Sequence, residues 1–114
     1  MKAFRVLEAP CNIIGETYSV KYTENWDRGF VAYGSVGGLL ADHPYELGVT
    51  RYCEVELAGA KDHGDKITGD TMTIIRELGL NDLILMNGGN PVEALISNGD
   101  GTYETARFDK TGRV

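Results

Sequence analysis

Apolar and polar residues alternate between Thr17 and Tyr22, with Tyr18, Val20 and Tyr22 on one side and Thr17, Ser19 and Lys21 on the other. This period of two predicts a half-buried strand. Ala3 to Glu8 reads as an earlier strand, and Pro10 and Gly15 bracket a connection in which Ile13 and Ile14 are expected under the sheet. Arg28 to Tyr33 predicts another short strand; Gly34 to Gly38 then leads into one or two helical turns over Leu39 to His43, ended by Pro44. Val49 to Leu57 is the clearest strand. Val49, Arg51, Cys53, Val55 and Leu57 share one side, and Thr50, Tyr52, Glu54 and Glu56 share the other, which predicts one wet face.

Ala60 to Asp65 reads as a polar turn, and Lys66 to Leu78 as a long extended run with a bulge at Gly69. A helical turn is expected from Asn81 to Met86. Val92 to Ile96 and Thr102 to Phe108 form a hairpin through Asn98-Gly99 and Asp100-Gly101, which supply positive φ angles. Asp109 to Gly112 makes one more turn. The sum is an α+β fold, mainly antiparallel sheet with one or two short helices, in a single domain over residues 1–114.

At 114 residues and 42% hydrophobic, the chain supports one core. No run approaches the ~18 apolar residues of a membrane helix. Arg5 and Glu8 interrupt the apolar stretch that a secretory leader requires, so a cytoplasmic location is expected. Eleven Lys and Arg against seventeen Asp and Glu give a formal charge of −6, and the basic residues are scattered singly. Direct nucleic-acid binding is therefore disfavoured, while a basic surface on another protein becomes a natural partner. Cys11 and Cys53 belong to no C-x-x-C pair and read as reduced thiols, Cys53 acting as a small hydrophobe.

No motif assembles a complete reaction. The glycine-rich stretch after Tyr33 lacks both the dinucleotide fingerprint and the P-loop, so a tight turn is expected there. Asn98 to Asp109 fails the calcium-loop spacing, with Tyr103 at the position that demands glycine. Asp42-His43 and Asp62-His63 read as solvated turns whose neighbouring side chains point apart. Catalytic residues, cofactor and metal are thus none, and enzymatic activity is left open with the weight against it. Exposed polarity and aromatic character select Trp26, Tyr33, Tyr52, Glu54, Glu56, Asp62 and Asp65 as an interaction face.

Gly29-Phe30-Val31-Ala32-Tyr33, Arg51 to Gly59, Gly64-Asp65-Lys66 and Thr73 to Leu78 occur in an order that resembles an uncharacterised phage and prophage domain, over roughly Lys2 to Ile84. Val31 and Tyr33 stand where that pattern has His and Cys. The resemblance implies a phage-encoded accessory protein of inhibitor or anti-defence type that binds a host or defence protein. Tyr52 to Gly59 also resembles a strand of ADP-ribosyltransferases, which implies, as an alternative, an NAD-using enzyme with Arg5, Tyr33 and Glu77 as its site. A self-assembling accessory domain, a homo-oligomer joined through open strand edges, is a further alternative.

Overall fold

The computed structural model describes residues 1–7, 14–19, 31–64 and 66–114, excepting the side chains of Leu7 and Tyr18. Strands β1 (Lys2–Leu7), β4 (Arg51–Ala58), β7 (Thr71–Leu78) and β2 (Thr17–Ser19) form one antiparallel sheet in the order β1-β4-β7-β2. A second sheet has the order β10-β9-β8-β3, built from β3 (Tyr45–Glu46), β8 (Val92–Ser97), β9 (Tyr103–Asp109) and β10 (Gly112–Arg113). β3 runs parallel to β8; the other neighbours are antiparallel. The small hairpin β5 (Lys61–Asp62) and β6 (Ile67–Thr68) stands apart in sequence from two short helices, α1 (Val36–Asp42) and α2 (Leu80–Met86). The fold is α+β and mainly antiparallel, and the C-terminal hairpin belongs to its own sheet.

Two apolar clusters lie on opposite faces of the first sheet. Ala3, Cys53, Val55, Leu57, Met72 and Ile74 pack with Ala32 and Ile67 on one face. Phe4, Tyr52 and Leu78 pack on the other with Val36 and Leu39 of α1, Leu83 and Ile84 of α2, and Val92 of β8. β4 is thus covered on both faces for much of its length, which corrects the expectation of a single wet face: Tyr52 is 1% exposed and Glu54 6%. Solvent reaches that side only towards Glu56 and Ala58.

β7 shows how the sequence serves both clusters. Met72, Ile74, Arg76 and Leu78 are all even-numbered, and an unbroken strand would place all four on one face. The β4–β7 register instead jumps between Glu54–Arg76 and Val55–Ile74, leaving Ile75 as the extra residue of a bulge. The phase reverses there, so Arg76 and Leu78 turn to the helix-covered face while Met72 and Ile74 keep to the other. The expected bulge at Gly69 is thus displaced to Ile75. Gly69 sits at a corner where an added Cβ would lie 3.0 Å from the Ala58 carbonyl oxygen.

α1 begins at Ser35, whose hydroxyl accepts from the Gly38 amide at 3.1 Å. α2 begins one residue before the expected Asn81. Gly79 is its N-cap, and Asp82 reaches back to accept from the Gly79 amide at 2.9 Å. Ile14, expected beneath the sheet, is exposed, while Ile13 and residues 28–30 lie outside the described residues. Cys53 is disulfide-bonded, which corrects its reading as a reduced thiol; Cys11 lies outside the described residues.

Candidate functional site

A groove of about 450 Å³ opens where α1 ends and β3 crosses to the second sheet. Pro44 terminates α1, and His43 leaves the helix at φ −130 and ψ 82 while its amide still donates to the Leu39 carbonyl. This bend brings Asp42 and His43 to the same groove, although neighbouring side chains were expected to diverge. Glu46 follows on β3, anchored by its pairing with Leu95. A tight turn then returns the chain to β4, with Val49 and Thr50 amides donating to the Glu46 carbonyl and Gly48 at φ +78. Val6, Pro44, Val49, Thr50 and Tyr52 complete the lining.

Tyr52 supports this wall. Its ring stacks on Tyr45 with centroids 4.9 Å apart, and its hydroxyl donates to the Pro44 carbonyl. Burial pushes its phenol up to about 12, which keeps it a neutral donor at ordinary pH. Burial also raises Tyr45, with Glu77 adding to the effect. Asp42 accepts from the Tyr33 hydroxyl at 2.8 Å, and the Tyr33 ring meets His43 edge-on at 5.9 Å.

Among the described residues, neither Asp42 nor Glu46 has an ion pair, and no Lys or Arg lines the groove. Arg51, one residue beyond Thr50, is taken by Glu77 at 3.4 Å. Two carboxylates beside Val6, Pro44 and Val49 suit a ligand with a cationic head and an aliphatic body. No group of three His, Cys, Asp or Glu is arranged to hold a metal among the described residues.

Glu54 has the opposite setting. Burial pushes its carboxyl up, but hydrogen bonds and charge from Arg76 at 2.9 Å and Lys2 at 3.1 Å outweigh that and hold it below its ordinary value. Arg76 continues to Asp82 at 3.2 Å, so the acid on β4 is tied to the start of α2. Glu54 is therefore an internal brace and is removed from the interaction face. Tyr52 is the groove's floor rather than an exposed contact, and Tyr33 is half-buried, holding Asp42.

Glu56 is exposed and pairs with the Met1 amine. Asp62 lies on the β5–β6 hairpin, bonded to the Gly64 amide, beside a smaller cleft that it shares with Tyr33, Ser35 and Lys66. Trp26 and Asp65 lie outside the described residues. The structure does not gather Tyr33, Tyr52, Glu54, Glu56 and Asp62, the expected residues it describes, at one site, and Asp42, Glu46 and Val49 were missed. The Asp42-His43-Pro44 sequence held the signal, a polar helix end broken by proline, but the parallel pairing of β3 that completes the groove leaves no local trace.

The residues cast for an NAD site do not gather either. Arg5 and Glu77 both pair in register with Cys53 and share its face, whereas Tyr33 bridges Phe4 and lies on the opposite face. Comparison with family models, curated proteins and solved structures gives no match for this chain.

Proposed function

We propose that this protein is a binding protein that engages a basic surface of another protein, with a host or defence protein as the partner class implied by the phage-domain resemblance. The observation that carries the reading is the way its charges are divided. Lys2, Arg51, Arg76 and Arg113 are each held by acids of the same chain; among the described residues Lys61, Lys66, Arg107 and Lys110 have no ion pair, against Asp42, Glu46, Asp62, Asp70, Glu93, Asp100 and Asp109 on the acidic side. The unpaired groups are thus mainly acidic, in keeping with the chain's formal charge of −6, and complementary potential speeds encounter and fixes orientation.

Affinity capture from bacterial lysate, with and without infection, tests this reading. The expected result is a stoichiometric basic partner that is released by raised salt and lost when Asp42 and Glu46 are both changed to Lys. Capture that ignores salt contradicts it. So does thermal stabilisation by NAD approaching ~2.7 kcal/mol at a hundredfold excess over its dissociation constant, which would mark a nucleotide site.

A further inference from the structure

We infer that the groove between α1, β3 and β4 is a socket for one lysine or arginine side chain of a partner protein, an inference that rests on the binding reading above and gives it a place. The lining divides the work by position. Asp42 and Glu46 supply two carboxylates without a cation of their own, while Val6, Pro44 and Val49 supply an apolar wall along which a methylene stem lies. At about 450 Å³ the groove falls within the ~300–1,000 Å³ of ligand clefts, large enough to admit a long side chain.

The rim selects a protein over a free amine. Val49 is 60% exposed and Leu47, in the same turn, 42% exposed, so apolar surface continues outward past the carboxylates. A small soluble cation leaves that surface wet; a residue presented beside an apolar neighbour covers it. The socket is also held in shape before binding. Tyr33 fixes Asp42, the Glu46 carbonyl ties the turn, and Tyr52 holds Pro44.

The test measures affinities of the full chain for blocked, fluorescently labelled Ala-Leu-X-Ala peptides with X as lysine, arginine or norleucine, together with free butylamine as competitor. Lysine or arginine peptides should bind and norleucine should not. Glu46→Gln should weaken binding about tenfold, the equivalent of ~1.4 kcal/mol, while Glu104→Gln, the same charge change on β9, leaves it unchanged. Amide spectra of both variants that match the parent show that each is folded.

Equal binding of the norleucine peptide overturns the socket, as does an equal effect of the two substitutions or full competition by butylamine at the peptide's own affinity. Absence of binding by either cationic peptide up to ~1 mM overturns it as well. Failure of the wider reading is distinguishable: a captured basic partner that binds the parent and Glu46→Gln alike, and is still released by salt, leaves that reading standing and removes only the socket.

Discussion

Glu54 and Glu46 are the same residue type in two regions with opposite electrostatics. Glu54 sits inside the first sheet's covered face with Arg76 and Lys2 on its oxygens, and through Arg76 it fixes the start of α2. Glu46 sits at the groove with Asp42 and no cation among the described residues. A buried carboxylate is retained only when its desolvation is offset by partners, so the first acid serves the fold. Asp42, exposed and hydrogen-bonded to the Tyr33 hydroxyl, and half-buried Glu46 have no cationic partner among the described residues, so their charges do little for the fold and remain available to another molecule. The difference separates the brace from the proposed binding surface within one short stretch of chain.

The largest expected effect falls on the structure beneath both regions. Leu39→Ala removes a fully buried side chain from the cluster that supports α1, and should cost ~2–5 kcal/mol in denaturant unfolding. Binding at the groove should fall with it, because Asp42 and His43 ride on the end of that helix.

Glu54→Gln comes next, at ~1–3 kcal/mol, since it weakens hydrogen bonds to charged groups that are themselves partly exposed. Its pH dependence identifies the cause. The folded Glu54 carboxyl is held below its ordinary 4.5, so its contribution is present above that pH and is lost as pH falls through the folded value. The variant should show a shallower acid limb in thermal unfolding, with groove binding unchanged.

Tyr52→Phe should cost ~0.5–1.5 kcal/mol, the hydroxyl's bond to Pro44. Here the sign reverses. The folded phenol is raised from 10.0 to about 12, so its contribution is complete below 10.0 and is lost as pH rises through about 12. The variant should lose that alkaline component and should weaken groove binding by loosening the Pro44 wall. Glu46→Gln is the smallest for the fold, within ~0.5 kcal/mol of the parent by thermal melting, yet it carries the change in binding. If Glu46→Gln destabilised the protein as Glu54→Gln does, the two regions would not differ in kind.

The sequence made the longer strands and the short helices legible, though not the two-residue strands β3, β5 and β10, because alternation, proline and turn glycines act locally. Val92 to Phe108 shows this well, with Asn98-Gly99 and Asp100-Gly101 closing the hairpin where expected. What alternation cannot show is cover from distant chain. Tyr52 and Glu54 read as wet because nothing local reveals that α1, α2 and β8 fold over their face. The Ile75 bulge did leave a local mark, since Ile74-Ile75 and Arg76-Glu77 interrupt the alternation of Thr71 to Leu78, but only the partner strand shows that the change of phase is an extra residue. Asp42 and Glu46 come to one groove through a helix end, which Pro44 announces, and through the parallel pairing of β3, which spacing along the chain does not encode. The state of Cys53 depends on distance in space, which the positions of two cysteines do not supply.

The most direct test of the account is an amide NMR titration of the isotopically labelled protein with the lysine-bearing peptide, referenced to its norleucine counterpart. The account predicts salt-sensitive shifts, specific to the lysine peptide, centred on Asp42, His43 and Glu46 to Tyr52, with Glu54 and its neighbours on β7 unmoved. Identical shifts for the two peptides, or lysine-specific shifts centred elsewhere on the surface, would contradict it.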